Sequence, residues 1–259
     1  MAERAAQATV DASYDGWDER ALATELDVPR VVVLDATTST LDVAHALAAE
    51  GASAGTLVVA DRQTAGRGRT GKHWSSPPGS GIWLTLVERP RDAGALDVLS
   101  LRVGLRAAAV LDRFAGGAVT LKWPNDIWVG GRKLAGVLCE ARWRESRAEW
   151  VAIGVGVNVV PPPDVSSAVG LESGTRRVDV LAELVPALRA AAFATGPLTN
   201  AELAEYAARD AARGRRCVSP AVGVVQGISA AGELRILGDD GREVAMRGGS
   251  LLFDTESGS

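Results

Sequence analysis

The sequence predicts an α+β fold in which a mixed β-sheet carries helices on one face and a small β-barrel follows. Short β-branched runs and longer helical patterns occupy separate segments of the chain up to about residue 216, which is typical of a sheet with helices packed around it. Beyond that point the strands become short, and glycine turns separate them at regular intervals, a pattern typical of a small barrel. We therefore expect an N-terminal extension at 1–29, a main domain at 30–216 and a C-terminal domain at 217–259.

Each element follows from a local pattern. The apolar spacing of residues 40–50 predicts a helix capped within residues 37–39, and Gly130-Gly131 predicts a hairpin turn. The expected strands of the main sheet are 30–34, 56–60, 82–87, 119–123, 127–129, 133–142 and 150–157. The expected helices are 18–26, 40–50, 96–114, 178–193 and 200–212. The expected barrel strands are 222–227, 233–237, 243–246 and 250–253.

Composition is typical of a soluble globular protein. With 47% hydrophobic and 23% charged residues, the chain is neither disordered nor fibrous. A net charge of -4 argues against a general binder of nucleic acid or anionic membranes. No run approaches the ~20 apolar residues of a membrane span, and the start lacks the apolar core of a signal peptide. Two cysteines predict neither a disulfide framework nor a metal cluster. From the charge, the apolar runs and the cysteines together, we expect a cytoplasmic protein that binds neither DNA nor membrane.

Lysine is scarce in this chain, and its positions are informative. Only three of the 28 basic residues are lysines, namely Lys72, Lys122 and Lys133. An ammonium is a compact and mobile charge, whereas a guanidinium is a flat fork. Lysines that persist against such a bias are candidates for places where arginine will not serve.

A basic, glycine-rich loop lies between two predicted strands, at residues 62–80. No carboxylate occurs between Arg62 and Val87, although the chain as a whole is acidic. The positive residues of the loop are Arg62, Arg67, Arg69 and Lys72. Glycines let backbone N–H groups approach an anion closely, and arginine suits phosphate or carboxylate oxygens. The loop is therefore a candidate anion-binding site.

Other interpretations of this loop compete. Gly66, Gly71 and Lys72 match a P-loop, but His73 stands where Ser or Thr would hold the metal. A dinucleotide-binding fingerprint is excluded because no helix follows the glycines. A disordered basic loop stays open as an interpretation, and the embedded Trp74 and the lone lysine weaken it.

A second segment places polar residues where a predicted strand ends. Pro124 ends that strand because it has no N–H to donate, so Lys122, Asn125 and Asp126 lie at its end. Asp126 could hold Mg²⁺ through oxygen. On spacing alone, however, a simple turn is the favoured interpretation of Asn125-Asp126.

Small residues accompany polar ones on the next two strands. Lys133 begins one strand and Gly136 follows on it, where a small residue lets a ligand approach closely. The other strand ends with Gly154 and Gly156 on one face, which leaves room for a flat ligand beside Asn158.

Taken in order, these motifs resemble those of biotin protein ligases. The matching motifs are Ser39-Thr40, Gly66-Arg67-Gly68-Arg69 with Gly71 and Trp74, Lys122-Trp123-Pro124-Asn125-Asp126, Lys133-Leu134-Ala135-Gly136, and Gly156 with Asn158. Each motif alone is weak, but their combination in one order over about residues 30–255 is highly specific. The chain resembles the short form of that family, without an N-terminal DNA-binding domain.

The resemblance implies a fold related to class II aminoacyl-tRNA synthetases, with an SH3-like C-terminal barrel, and it implies a role for each matching residue. The implied biotin-binding residues are Ser39, Thr40, Gln63, Gly66, Arg67, Arg69, Trp83, Lys133 and Gly136. The implied ATP-binding residues are Arg69, Lys72, Trp74, Lys122, Asn125 and Asn158, with Asp126 at Mg²⁺. Lys133, Arg67 and Arg69 would carry the chemistry, with Lys133 between the biotin carboxylate and the α-phosphate.

The activity that the resemblance implies is ATP-dependent biotinylation by a monomer or homodimer. Biotin and ATP would form biotinyl-5′-AMP, and a lysine in the biotin carboxyl carrier domain of an acyl-CoA or pyruvate carboxylase would then receive the biotin. A lipoate–protein ligase and a non-catalytic biotin sensor are the alternatives. Leu41 departs from the asparagine that commonly follows Ser-Thr in this family.

Overall fold

The computed structural model describes residues 13–254, which form two β-sheets with helices packed against the larger one. The larger sheet comprises β1 (Arg30–Thr37), β2 (Thr56–Gln63), β3 (Gly81–Glu88), β4 (Val119–Lys122), β5 (Asp126–Val129), β6 (Arg132–Arg144) and β7 (Arg147–Asn158). The second sheet comprises β8 (Arg216–Ser219), β9 (Gly223–Ile228), β10 (Leu234–Leu237), β11 (Glu243–Met246) and β12 (Leu252–Phe253). The helices are α1 (Glu19–Glu25), α2 (Thr40–Ala49), α3 (Leu99–Leu111), α4 (Arg177–Phe193) and α5 (Asn200–Arg209).

The larger sheet is mixed, as the sequence predicts. Its strand order is β1-β2-β3-β7-β6-β5-β4. β1 and β2 are parallel, while every other neighbouring pair is antiparallel. β6 and β7 lie near the centre of the sheet. The glycines and polar residues of these two strands are therefore held on a rigid part of the fold.

The alternating side chains of β1 place helices on both faces of this sheet. Val31 and Val33 point into the larger core, which also contains residues of α1, α3 and α4. Val32 and Leu34 point the other way and pack with Ala44 of α2 in a smaller core. The fold class is confirmed. Helices were expected on one face of the sheet only, but α2 covers the other face, because β1 is apolar on both sides.

Several boundaries differ from the sequence prediction. β1 and β2 run three residues beyond the expected apolar runs, because Ala36 pairs with Arg62 and Thr37 with Gln63 in the parallel ladder. Polar residues in these positions gave no strand signal, yet they bring Gln63 to the edge of the site. The third helix was expected at 96–114, but a 3₁₀ segment occupies Gly94–Val98 and the α-helix ends at Leu111.

The second sheet is antiparallel, with the order β11-β10-β9-β8-β12. The strand β8 begins at Arg216, where no strand was predicted. The boundary expected at Cys217 therefore falls inside β8. The indole N–H of Trp123 donates a hydrogen bond of 3.0 Å to the carbonyl of Gly232. This bond joins the end of β4 to the second sheet. Across residues 13–254, no helix has both the length and the apolarity that crossing a bilayer requires.

The described part of the expected N-terminal extension is packed into the main core. Tyr14 and Leu22 are 1% and 0% exposed. Arg177 of α4 is ion-paired with both Asp15 and Asp61, and its guanidinium lies 4.2 Å from the centre of the Tyr14 ring. Residues 1–12 lie outside the described part of the chain.

Candidate functional site

A cavity of about 420 Å³ lies over the ends of β6 and β7, beneath the basic loop. Candidate residues that line it are Ser39, Thr40, Gln63, Arg67, Arg69, Lys72, Trp74, Trp83, Lys122, Asn125, Asp126, Lys133, Gly136 and Asn158. Gly66, the remaining candidate, is not part of the lining but lies directly behind it. The structure thus brings together residues that are up to 119 positions apart in the sequence, from Ser39 to Asn158.

One end of the cavity is a buried, uncharged hydrogen-bond network. The side-chain oxygen of Gln63 accepts from the backbone N–H of Thr40 at 2.9 Å and from its hydroxyl at 3.3 Å. The amide nitrogen of Gln63 donates to Ser76 at 2.9 Å, and Thr85 donates to the Thr40 hydroxyl at 2.9 Å. Ser39 caps α2 by accepting from the N–H of Leu41. Every group is held by a partner, so this end is preorganised for a neutral polar ligand.

Gly66 is required by close packing behind this network. The carbonyl of Gly66 accepts a 2.8 Å hydrogen bond from the N–H of Trp74. A Cβ at this position would lie 2.5 Å from the Trp74 carbonyl oxygen and 2.9 Å from the Ser76 hydroxyl. A side chain would therefore separate the two ends of the loop.

Trp74 lies flat against the glycines of β6 and β7. A Cβ at Gly156 would stand 2.7 Å from the Trp74 indole nitrogen, and one at Gly136 would stand 3.1 Å from its six-membered ring. The Trp83 ring meets Trp74 edge-on, with 6.4 Å between ring centroids. The space that the glycines leave for a flat group is occupied by Trp74, which makes the loop a roof over the cavity.

Lys133 stands at the middle of the cavity between a carboxylate and an aromatic face. Its ammonium lies 2.6 Å from a carboxylate oxygen of Asp126 and 4.9 Å from the centre of the Trp74 ring. Neighbouring backbone fixes the residue, because its N–H donates to Ser167 at 2.7 Å and its carbonyl accepts from Asn158 at 3.2 Å. A fixed cation with one exposed flank can contact an anion in the cavity.

The two candidate asparagines hold backbone in place. The Asn125 side chain donates to the carbonyl of Val137 at 2.8 Å, and the Val137 N–H returns a 3.0 Å bond to the carbonyl of Asn125. Asn158 is 3% exposed and donates to the carbonyl of Lys133. Both amides thus fasten the segment from β5 to β6, which carries Asp126 and Lys133.

Lys122 is held in an aromatic cage that the sequence did not reveal. Its ammonium lies 4.7 Å from the centre of the Trp128 ring and 5.4 Å from that of Phe253 in the second sheet. The Arg215 guanidinium covers Phe253 at 3.5 Å. Burial lowers the pKa of Lys122, Asp126 opposes that change, and the positive charge of Lys133 adds to it. Phe253 is distant in sequence and belongs to no motif, so only the fold could identify it.

Two of the three loop arginines, Arg67 and Arg69, are placed differently. The Arg67 guanidinium lies 3.1 Å from Asp42 and 3.1 Å from Glu140, although it also borders the cavity. The resemblance implies that Arg67 binds biotin and carries part of the chemistry, and in the structure two carboxylates contact it. Burial lowers the pKa of Arg69, and the charge of Asp126 opposes that shift. Arg69 lines the cavity and, among the described residues, has no carboxylate within 4.0 Å of its charge.

An apolar wall completes the cavity on the side of α2. Leu41 is 4% exposed, and a Cβ at Gly154 would lie 3.2 Å from its side chain. Val137 and Leu138 line the same region. Val137 and Leu138 were missed because alternation on a central strand looks the same in a core as in a pocket wall. The side chain of Leu41 contributes packing at the position that follows Ser39-Thr40.

Metal ligands are sparse in this site. Over residues 13–254, no group of three or more His, Cys, Asp or Glu side chains could hold a metal ion. The expectation of no cysteine metal cluster concerns Cys139 and Cys217, and both are free thiols. Among the lining residues, Asp126 is the carboxylate that faces the cavity.

Comparison with known proteins identifies the family. The model of the biotin/lipoate A/B protein ligase family matches residues 33–158. The biotin–[acetyl-CoA-carboxylase] ligase of Paracoccus denitrificans is 35% identical over 220 residues, which cover 76% of this chain and 90% of that protein. The bifunctional ligase/repressor BirA of Bacillus subtilis is 40% identical over 144 residues, 55% of this chain. That match covers 44% of BirA, so the chain spans less than half the length of this relative.

The fold agrees with the same family. A solved structure of the biotin protein ligase from Aquifex aeolicus, in complex with biotin and ATP, superposes with a TM-score of 0.70. The superposition covers 86% of this chain and 99% of that one, at 24% sequence identity. Because the Paracoccus relative exceeds 30% identity over three quarters of the chain, the likeness extends beyond the fold. The chain belongs to the biotin/lipoate A/B protein ligase family.

Proposed function

We propose that this chain is an ATP-dependent biotin protein ligase. The observation that carries the proposal is the placement of all three lysines of the chain, Lys72, Lys122 and Lys133, around one cavity. Another part of the cavity lining is uncharged and hydrogen-bonded through Gln63 and Thr40. A ligand with a neutral polar head and an anionic tail fits this polarity, and biotin has a ureido ring at one end and a carboxylate at the other. The Paracoccus relative, named as a biotin ligase, supports the same substrate.

The first proposed step joins two anions. A carboxylate oxygen of biotin attacks the α-phosphorus of ATP, the new P–O bond forms, and the bond to pyrophosphate breaks. Both reactants are negative, so catalysis depends on holding them in line and on supplying positive charge. Lys133 offers a compact ammonium that can contact both anions, and Arg69 and Lys72 add charge from the loop.

The second proposed step transfers the acyl group. A lysine amine of an acceptor protein attacks the carbonyl of biotinyl-5′-AMP, the amide bond forms, and AMP leaves while the amine loses a proton. The acceptor that we propose is the carrier domain of a biotin-dependent carboxylase, since the Paracoccus relative is named for acetyl-CoA carboxylase. The cationic cavity also suits the developing charge on AMP.

Mg²⁺ fits this site as an ion that arrives with ATP. Proteins usually hold Mg²⁺ through one or two carboxylates together with substrate phosphates and water. Asp126 supplies one such carboxylate in the cavity, where it would hold the ion while Lys133 contacts the reacting groups. When bound, Mg²⁺ neutralises charge on the phosphates.

The roof formed by Trp74 is proposed to retain the adenylate and exclude water. The buried indole N–H of Trp74 has no hydrogen-bond partner among the described residues, and this lack weakens the packing of the ring against the sheet. Tryptic cleavage at residues 67–72 should therefore slow when biotin and ATP are added. Cleavage that is unaffected by both substrates would contradict a retaining loop.

ATP–pyrophosphate exchange tests the proposed first step without an acceptor. Biotin, lipoate and octanoate are compared as acids at equal concentration. We expect exchange with biotin and not with the other two. Exchange with lipoate instead would transfer the proposal to a lipoate ligase, and tight biotin binding without exchange would indicate a sensor.

Transfer is tested separately with an isolated carrier domain of acetyl-CoA carboxylase. Biotin should appear on one lysine of that domain by mass spectrometry, and replacing that lysine should abolish the product.

We further propose that the protein works in the cytoplasm as a monomer or homodimer, without DNA or a membrane. Cell fractionation checks the location in the cytoplasm and away from membranes, and light scattering of the active enzyme checks the oligomeric state.

A further inference from the structure

Arg67 fastens the start of the roof loop to the scaffold outside the cavity. Its guanidinium is 3.1 Å from Asp42 in the first turn of α2 and 3.1 Å from Glu140 on β6. The two carboxylates come from separate elements, the helix α2 and the strand β6. Arg67 therefore ties the loop to two rigid elements at once.

Glu140 is itself oriented by a chain of hydrogen bonds. The Trp150 indole donates to Nδ1 of His45 at 2.9 Å, so that nitrogen is the acceptor. The other ring nitrogen, Nε2, then carries the proton and donates to Glu140 at 3.1 Å. One carboxylate oxygen of Glu140 thus serves both His45 and Arg67. A carboxylate fixed in this way is a defined anchor rather than a mobile surface charge.

The other loop cations are left for the cavity. The charge of Arg67 lies within 4.0 Å of a carboxylate. Among the described residues, no carboxylate lies that close to the charge of Arg69 or Lys72. The loop also closes on itself, because the N–H of Gly68 donates to the carbonyl of Lys72 at 2.7 Å. Fixing Arg67 therefore fixes the position of the whole turn that carries Arg69.

We propose that Asp42 and Glu140 are positioning residues, which hold loop 66–74 over the cavity through Arg67 and so slow the escape of an acyl adenylate. The statement about the adenylate rests on the proposed function, whereas the statement about the loop does not. Neither residue lines the cavity. Their effect on ligands would pass through the loop alone.

Tryptic cleavage of the loop in the full-length protein tests the anchor directly. The variant D42N/E140Q removes both charges and keeps side-chain oxygens, so the new amide at position 140 can still accept from His45. The matched control is E183Q, since Glu183 pairs with Arg113 at 2.7 Å and its side chain is 31% exposed, as is that of Glu140. Cleavage sites are assigned by mass spectrometry, and cleavage elsewhere in the chain reports any general loosening.

We expect the loop of D42N/E140Q to be cut about threefold to tenfold faster than that of the wild type, the range that two partly exposed ion pairs supply. The E183Q variant should match the wild type. Equal cleavage of the wild type and D42N/E140Q would overturn the proposal, as would equal acceleration in E183Q.

A second variant separates anchoring through Arg67 from a merely structural effect. R67Q removes the charge of the one nitrogen, Nη2, that contacts both carboxylates, and cleavage is then read at Arg69 and Lys72, which stay in place. R67Q should accelerate loop cleavage at those two sites by itself, and adding D42N/E140Q should then change little. Full additivity of the two effects would show that the carboxylates act independently of Arg67 and would overturn the proposal.

Release of preformed biotinyl-5′-AMP tests the second half of the statement. D42N/E140Q should release it about threefold to tenfold faster than the wild type and E183Q. A release rate unchanged from that of the wild type would overturn the role in retention. If the wild type forms no adenylate, the proposed function fails by itself, and the cleavage comparison still decides whether the anchor exists.

Discussion

Alanine at Gly156 tests whether the Trp74 roof rests on the sheet as the structure has it. The added Cβ would lie 2.7 Å from the indole nitrogen and 2.8 Å from the adjoining ring carbon, Cε2. Ordinary contacts begin at 3.4 Å, so the ring must move by about 0.7 Å or leave the sheet.

The expected cost follows from this overlap. Forcing a methyl group into packed space typically costs ~1–3 kcal/mol of the free energy of unfolding. Because Trp74 belongs to a loop, it can detach, and we expect a value at the lower end, about 1–2 kcal/mol. The loss of stability should be accompanied by faster tryptic cleavage at residues 67–72, which form the same loop.

Urea denaturation of a double-mutant cycle measures this contact. G156A is compared in the wild-type and W74A backgrounds, and the coupling energy should be about 1–2 kcal/mol. The control is G104A in α3, whose Cβ would have its nearest neighbour at 3.7 Å. That change should be neutral or should stabilise by up to ~1 kcal/mol, because alanine favours helix. An equal cost of G156A in both backgrounds would refute the placement of Trp74 on Gly156.

Two further predictions concern groups that hold the site and the fold. Q63L should lower the free energy of unfolding by about 1–3 kcal/mol in urea, because the buried N–H of Thr40 loses its partner, while the Ser76 hydroxyl keeps its bond to the Trp74 carbonyl. A loss below ~0.5 kcal/mol would contradict it. Burial tends to raise the pKa of Glu202, but hydrogen bonds from Arg102 and Thr199 and the charge of Arg102 together outweigh this and lower it to about 2. This stabilisation, about 3 kcal/mol, should be complete above pH ~5 and be lost as pH falls toward 2. Thermal melts of E202Q should lack that part of the acid dependence, and an unchanged pH profile would exclude it.

Local pattern predicted most of the fold. Residues 40–50 have helical apolar spacing and a serine cap, and the helix formed there almost to the residue. The boundaries failed where polar residues extend a strand, as at Gln63, because a ladder bond to a neighbouring strand leaves no trace in the chain itself. The side of the sheet that α2 occupies was also missed, since it depends on β1 being apolar on both faces.

The site was predictable in its members and less so in its contacts. Lysine scarcity and the charge of the loop pointed to Lys72, Lys122 and Lys133, which do line one cavity. The engagement of Arg67 by two carboxylates was not foreseen, because Glu140 lies 73 positions away. Pairings at such separation depend on the tertiary fold and carry no local spacing rule.

Formation of biotinyl-5′-AMP by K133R tests the central claim most directly. Single-turnover experiments with biotin and ATP, without an acceptor, compare it with the wild type. The control is R132K, the reverse exchange at the adjacent exposed residue. We predict that K133R forms the adenylate about 100-fold more slowly, because a guanidinium cannot occupy the place of the ammonium between carboxylate and phosphate, whereas R132K matches the wild type. A K133R rate within about threefold of the wild type would contradict the role assigned to Lys133.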